Sequence, residues 1–285
     1  MILNVAAYRF ADIQNRPAKV ELLQRKGIEL GLKGSILVTP EGVNIMLAGE
    51  PEAVREMHRY LGEVDEGLKD IDFKESWSRN VPFRRYLVKE KQEVIKLGLP
   101  DIQPLKEQGP SITPELLKQW YDEGRDFTIL DTRNDYEVRI GTFKNAVDMG
   151  LKNFVQFPEK LAALPEETKK KPLVMFCTGG VRCERASLVA QRQGYEEVYQ
   201  LEGGILRYFE KVGGAHYKGD CFVFDYRVAL DPELKESQAV LCFACGEPLT
   251  VEDQKSDLYE PLKTCPYCID RPPARSGSSS VSMTK

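Results

Sequence analysis

The segment from Cys177 to Arg182 brings a thiol, two glycines and a cation together within six residues, Cys-Thr-Gly-Gly-Val-Arg. It joins an apolar run that predicts a buried strand to a stretch that predicts a helix. Consecutive glycines let backbone N–H groups turn inward, and a helix N-terminus and an arginine both favour a nearby anion. The sequence therefore predicts a lowered pKa and strong nucleophilicity for Cys177.

The alternative for Cys177 is a buried structural cysteine at the end of a strand, which is common for free thiols. The glycine pair and the arginine disfavour it, because reactive cysteines need such electropositive surroundings. The candidate catalytic residues are Cys177, Arg182 and Cys183. The loop between them consists of Thr178, Gly179, Gly180 and Val181.

Three stretches around this loop resemble the signature segments of a rhodanese domain: Asp131–Val147, Phe176–Ala186 and Leu201–Ile205. In that family the loop cysteine carries sulfur as a persulfide. The resemblance also implies that Asp131, Arg133 and Glu137 form a charged scaffold under the loop, whereas the residues alone are equally consistent with a surface ion pair. Four residues separate Cys177 from Arg182, one fewer than in phosphatase loops that encircle a phosphate, so a phosphatase is the weaker interpretation.

Cys183 follows Arg182 directly and falls in the first turn of the predicted helix. A second thiol near a low-pKa cysteine is a redox arrangement, in which Cys183 would resolve a persulfide or sulfenate on Cys177. A small helix-packing residue is an equally good interpretation.

The resemblance extends beyond the rhodanese segment, through Gly34–Asn44, Pro82–Gly98 and Gly219–Ala229, to about Asp270. Almost the whole chain resembles the bacterial tRNA uridine(34) hydroxylase family. That resemblance implies an oxidoreductase that uses molecular oxygen to convert the wobble uridine of tRNA to 5-hydroxyuridine, with tRNA as partner. No organic cofactor motif is evident. Alternatives are a thiosulfate-type sulfurtransferase carrying a Cys177 persulfide, and a non-catalytic scaffold.

A charged stretch, Arg84 to Lys96, is interpreted as an exposed strand or arm. Basic side chains with one aromatic, Tyr86, suit contact with RNA phosphates and one stacked base. The competing interpretation is an edge strand protected by charge from aggregation. The candidate RNA-binding residues are Arg84, Arg85, Lys89 and Lys91.

Four cysteines near the end of the chain form two Cys-x2-Cys pairs separated by 19 residues: Cys242, Cys245, Cys265 and Cys268. This spacing is typical of a four-thiolate zinc site, which would be structural because no coordination position stays open. An iron–sulfur cluster or paired disulfides are the alternatives.

Composition narrows the class of protein. The chain has 285 residues and a formal charge of −4, which argues against sequence-blind nucleic-acid binding in bulk. No apolar run reaches the ~18 residues of a membrane span, and the first residues turn polar at Arg9, too soon for a signal peptide. We therefore expect a cytoplasmic protein without a membrane partner.

The elements that must position these residues form two patterns. The first hundred residues predict the order β-α-β-β-α-β of a ferredoxin-like sandwich, and strands alternate with helices after Pro114, as in an α/β domain. We expect a ferredoxin-like, acylphosphatase-like domain (1–97), a linker (98–113), a rhodanese α/β domain with a parallel sheet (114–213), a Cys-rich region (214–270) and a disordered tail (271–285).

Overall fold

The computed structural model describes residues 1–270. Its first part is a five-stranded sheet in the order β4-β1-β3-β2-β5, with two helices on one face. Every second residue of β1 is buried beneath those helices, namely Leu3, Val5 and Ala7, as the period of a strand requires. The elements are β1 (Ile2–Phe10), α1 (Arg16–Glu29), β2 (Lys33–Thr39), β3 (Gly42–Gly49), α2 (Pro51–Val64), β4 (Lys74–Ser78) and β5 (Tyr86–Glu90).

The predicted ferredoxin-like order is confirmed, and the charged stretch adds a fifth strand to it. β5 pairs in parallel with β2 and is an edge strand, so the stretch is not a free arm. The expectation that Tyr86 stacks on a base is wrong. Its ring is buried under α1, where the hydroxyl donates to the Leu23 carbonyl at 2.8 Å.

The predicted linker 98–113 connects the two sheets but is not a free spacer. Ile102 is buried in the core of the second sheet. Residues 111–112 pair with its edge as β6. Three prolines interrupt hydrogen bonding along this segment, which is why the sequence resembles a spacer.

The second sheet has five parallel strands in the order β6-β11-β10-β7-β9. Its central strand β10 is buried at every position, which explains the continuous apolar run. The elements are β6 (Ser111–Ile112), α3 (Pro114–Asp122), β7 (Thr128–Asp131), α4 (Asp135–Ile140), β8 (Gly141–Phe143), β9 (Val147–Asp148), α5 (Phe157–Ala162), β10 (Leu173–Phe176), α6 (Val181–Arg192), β11 (Val198–Leu201) and α7 (Gly204–Val212).

The remaining described residues form three short two-stranded pairs and one helical turn. β12 pairs with β8, β13 with β14, and β15 with β16. The elements are β12 (Tyr217–Gly219), β13 (Cys221–Phe222), β14 (Ala229–Leu230), β15 (Val240–Leu241), β16 (Pro248–Leu249) and α8 (Val251–Gln254). The predicted disordered tail lies outside the described residues. No helix within 1–270 is long and apolar enough to cross a membrane.

The face of the first sheet that carries no helix lies against the second sheet and the residues after it. Ala6 of β1 packs against the core of the second sheet. Arg185 of α6 forms an ion pair with Glu41, in the turn between β2 and β3. Arg227 donates to the Ser76 hydroxyl of β4 at 2.8 Å. The two sheets are therefore joined by buried polar contacts as well as by apolar packing.

Candidate active site

Cys177 follows directly after β10, and α6 begins at Val181. Gly180 has φ +100°, a left-handed conformation that a side chain would strain. In that conformation its N–H donates to the Cys177 sulfur at 3.1 Å. Gly180 thus presents its backbone N–H to the thiol at the start of a helix, as predicted for one of the two glycines.

Several groups act on the charge of Cys177. Burial would raise the pKa of this thiol, but a hydrogen bond from Cys183, the charge of Arg182 and the backbone N–H groups of Arg182 and Gly180 lower it to about 6. The thiol is therefore ionised at neutral pH. Its exposed fraction is only 1%, so it is ionised but covered.

Arg182 is held by a carboxylate beneath the loop. Its guanidinium donates to Glu137 at 2.9 Å, and both side chains are buried. Glu137 is fixed in turn because it accepts the backbone N–H of Asn134 at 3.0 Å, at the start of α4. The Thr178 hydroxyl also points to Glu137, at 3.4 Å. The loop thus rests on the carboxylate of Glu137. The N-terminus of α4, the helix that carries Glu137, fixes the orientation of this carboxylate.

Asp131 and Arg133 form a second buried pair at the end of β7. The guanidinium donates to the carboxylate at 2.9 and 2.6 Å, and to the Gly141 carbonyl at 2.6 Å. The alternative of a surface ion pair is wrong, because neither side chain has exposed surface. We interpret Asp131, Arg133 and Glu137 as supports of the loop.

Cys183 is buried on α6, 3.7 Å from the Thr132 hydroxyl. Burial and its hydrogen bond to the Cys177 sulfur raise its pKa, so it remains a neutral donor. Burial likewise raises the pKa of Cys221 to about 12. Among these three thiols only Cys177 has a lowered pKa.

The first sheet contributes residues to this site that the sequence did not indicate. The Tyr8 hydroxyl donates to Glu184 at 2.9 Å, and a side chain at Gly180 would lie 2.9 Å from the same hydroxyl. Lys74 lies over the Tyr8 ring at 5.3 Å. These residues are separated by up to 176 positions in the chain. No local pattern in the sequence connects them.

The candidate RNA-binding residues lie along β5 and its flanks. Arg84, Arg85 and Lys91 are exposed, and Lys89 is half-buried. Within residues 1–270 none of these four side chains makes an ion pair or a side-chain hydrogen bond, whereas neighbouring Glu90 is paired with Arg16. Unpaired cations at a sheet edge are suited to phosphate contact, and this role stays a prediction.

The four C-terminal cysteines come together as their spacing predicts. Their sulfur atoms all lie within 4.8 Å of one another, and Cys245 and Cys265 are 3.6 Å apart. A tetrahedral zinc site with Zn–S bonds of about 2.3 Å separates its sulfurs by about 3.8 Å. The cluster therefore fits a metal such as zinc, and none of its cysteines forms a disulfide.

Two regions of the chain match described domain families. Residues 2–94 match the UPF0176 acylphosphatase like domain, and residues 113–211 match the rhodanese-like domain. Among solved structures, the rhodanese-like domain from Anabaena sp. is 23% identical, with a TM-score of 0.33, over 39% of this chain and 79% of that one. A rhodanese-like domain protein from Staphylococcus aureus is 27% identical, with a TM-score of 0.29, over 35% and 90%.

Curated relatives match along nearly the full length. A tRNA uridine(34) hydroxylase of Cupriavidus taiwanensis is 47% identical over 273 residues, covering 94% of this chain and 96% of the relative. Proteins of the same name from Burkholderia cenocepacia and Ralstonia nicotianae are 46% and 44% identical, each covering 94% of this chain and 97% of the relative.

Proposed function

The chain belongs to the tRNA uridine(34) hydroxylase family, and from this we propose that it hydroxylates the wobble uridine of tRNA to 5-hydroxyuridine, with molecular oxygen as co-substrate and Cys177 as the reactive group. The similarity to relatives of that name along nearly the whole chain carries the proposal. The ionised thiol supports the choice of residue, because a thiolate is the nucleophilic form of cysteine.

The groups around Cys177 have separable roles in this proposal. Gly180 N–H, the Cys183 thiol and Arg182 keep the sulfur ionised. Glu137 orients Arg182, so it acts through that residue as a positioning group. Cys183 is also placed to resolve an oxidised sulfur on Cys177, since it already shares a hydrogen bond with it.

A tRNA substrate requires a phosphate-binding surface, and we assign it to Arg84, Arg85, Lys89 and Lys91. They lie on the same domain as Tyr8 and Lys74, which reach the loop. Because tRNA is found in the cytoplasm, we also propose that the protein is cytoplasmic. We assign zinc to the four-cysteine cluster, in a structural role, because all four thiolates would be occupied by the metal.

The second candidate function is transfer of sulfur from a small donor such as thiosulfate. The match of residues 113–211 to the rhodanese-like domain favours it. The burial of Cys177 and the contact of Tyr8 and Lys74 of the first sheet with its loop weigh against it, because a sulfurtransferase acting on small donors needs no such cover.

One pair of assays separates the two functions. Nucleosides of tRNA from cells lacking this protein are analysed by mass spectrometry, with complementation by the wild type or by Cys177→Ala. The wild type restores 5-hydroxyuridine only in the presence of oxygen, and the variant does not. Rapid thiosulfate-dependent sulfur transfer by the pure protein, without any hydroxylated tRNA, would replace the hydroxylase by the sulfurtransferase.

A further inference from the structure

A small enclosed cavity lies between the helix-free face of the first sheet and the Cys177 loop. Its volume is about 50 Å³, and it is lined from both sides, by Asn4, Lys74 and Ser76 of the first sheet and by Thr178 of the loop. At ~10–15 Å³ for each water molecule it has room for about four. The cavity therefore reaches the loop at Thr178, the residue that follows Cys177.

Asn4 offers this cavity an unused hydrogen-bond acceptor. Its side-chain amide is 1% exposed and donates to the Ser78 hydroxyl at 2.9 Å and, more weakly, to the Ser76 carbonyl at 3.4 Å. A carbonyl only accepts, so this contact fixes the nitrogen of the amide on that side. The oxygen Oδ1 is buried and has no partner in residues 1–270. Buried polar atoms without partners are rare and costly, so Oδ1 is suited to a donor that comes with a ligand.

Lys74 supplies a donor and a charge beside that acceptor. It lies opposite Ala6 in the β1–β4 ladder, and Ser76 lies opposite Asn4, so Lys74 and Asn4 are diagonal neighbours on one face. The lysine is 7% exposed and lies 3.2 Å from Asp72, which is itself 61% exposed and also pairs with Arg207. A buried cation with one exposed, shared carboxylate retains N–H groups for another acceptor.

An acceptor next to a cationic donor matches a base edge on which an N–H group adjoins a carbonyl, as it does in uracil. Uracil presents the N3–H donor flanked by carbonyl acceptors, whereas cytosine presents an acceptor at N3 and an amino group at C4. We infer that the cavity receives the uracil base of the substrate, with Asn4 Oδ1 accepting from N3–H and Lys74 donating to the adjacent carbonyl. This rests on the proposed function, because it is the substrate that brings a uridine to Cys177.

The cavity must widen for this base to enter. Its 50 Å³ is about a third of the 150 Å³ that holds a benzene ring in an engineered cavity. Phe83 and Phe224 line the same space and offer flat apolar walls for a ring. Widening means separation of the first sheet from the loop, which a buried Cys177 requires of any large substrate.

The inference is tested by the affinity of synthetic anticodon stem-loops that carry uridine, 3-methyluridine or cytidine at the wobble position. Methylation of N3 removes the donor and leaves both carbonyls. We expect the wild type to bind the uridine stem-loop at least about tenfold more tightly than either of the others, because in both of them N3 carries no hydrogen to donate to Asn4 Oδ1. Equal affinity for uridine and 3-methyluridine overturns the inference without any variant.

Variants assign the discrimination to residues. Asn4→Leu should bind the uridine and 3-methyluridine stem-loops with equal affinity. Asn4→Asp keeps an acceptor and should retain part of the preference for uridine. The control Asn80→Leu, at an exposed position, should retain all of that preference. Lys74→Gln should raise KM for tRNA severalfold, and Lys33→Gln should not. Discrimination that survives in folded Asn4→Leu protein, judged by its melting temperature, also overturns the inference. Failure of the proposed function is a separate result: wild-type protein that binds the stem-loop with this preference but hydroxylates no tRNA.

Discussion

The thiol of Cys177 is the group to which we assign the chemistry, and its charge is a balance of opposing effects. Burial favours the neutral thiol, and the Cys183 hydrogen bond, the charge of Arg182 and two backbone N–H groups favour the anion. The anion prevails because four donors or charges converge on one atom. We therefore expect the loss of any one of these four groups to raise the pKa of Cys177 in part.

Alkylation of Cys177 by iodoacetamide should follow a titration with a midpoint near pH 6, since the thiolate is the reactive form and its pKa is about 6. Cys183→Ala removes one donor and should move the midpoint upward, toward the ~8.5 of a free cysteine. Cys183→Ser, which keeps a donor, should leave it near the wild-type value. The rate is measured at each pH by mass spectrometry of the labelled peptide. A wild-type midpoint above pH 8, or faster labelling of Cys221, would contradict this view of the loop.

Breaking the buried pair at the end of β7 should be costly. Asp131→Ala leaves Arg133 charged, buried and without its carboxylate, a change that costs about 3–5 kcal/mol of the free energy of unfolding. The matched control is Asp126→Ala, which breaks an exposed pair with Lys171 and should cost less than about 1 kcal/mol. Urea unfolding measures both. Similar values for the two variants would show that the buried pair does not brace the loop.

Single residues differ in how far the sequence reveals them. Cys177, Arg182 and Glu137 lie within stretches that resemble rhodanese signature segments, and that resemblance implies that they meet at one loop. Tyr8, Lys74 and Asn4 lie in strands whose partners are distant in the chain, and their role depends on which face of the first sheet meets the second. Packing between the two sheets determines which face meets the second sheet, and local sequence patterns do not specify that packing.

At the scale of elements, most helices and strands follow from apolar periodicity, and β5 shows where periodicity misleads. Its sequence is rich in charge, which left an exposed strand or a free arm as the two interpretations. Only Tyr86 and Val88 enter the core under α1, and Gln24 of that helix accepts the N–H of Val88 at 2.7 Å. Two inward residues suffice for an edge strand, so the charged residues between them do not prevent pairing.

The β15–β16 hairpin should depend on metal. Its cysteines lie on two turns that contribute few apolar contacts, so a bound zinc supplies much of the stability of this region. We expect about one zinc per chain by elemental analysis, and rapid proteolysis near residues 242–268 after chelation, while residues 1–230 stay resistant. Cys265→Ser should reproduce the effect of chelation, and Cys221→Ser should not. Protein without zinc or iron that resists proteolysis would rule out a structural metal.

At the scale of the whole molecule, the proposed tRNA-binding surface and the reactive thiol belong to different sheets. Arg84, Arg85 and Lys89 lie along the edge of the first sheet, and Cys177 follows a strand of the second. Binding and chemistry should therefore be separable by mutation.

Reversing Arg84, Arg85 and Lys89 to glutamate should weaken tRNA binding and reduce the salt dependence of the affinity. Each lost phosphate contact lowers the slope of log K against log salt by about 0.7–0.9, because fewer counterions are released. The pH midpoint of Cys177 alkylation should not change. The control reverses three exposed lysines of the second domain, Lys160, Lys170 and Lys211, and should leave the slope unaltered. Equal losses in both triple variants would indicate a general charge effect.

The cover that the first sheet places over Cys177 has a consequence for the lifetime of the protein. A sulfur that is ionised at neutral pH is the form most readily driven by peroxide to sulfinic and sulfonic acids, from which a cysteine is not normally recovered. With 1% of its surface accessible, Cys177 is shielded from diffusing oxidants in the closed arrangement of the structure. With oxygen as the proposed co-substrate, an exposed thiolate would be open to oxidation during idle periods. The closed arrangement thus allows Cys177 to be a reactive thiolate and yet to be protected from irreversible oxidation.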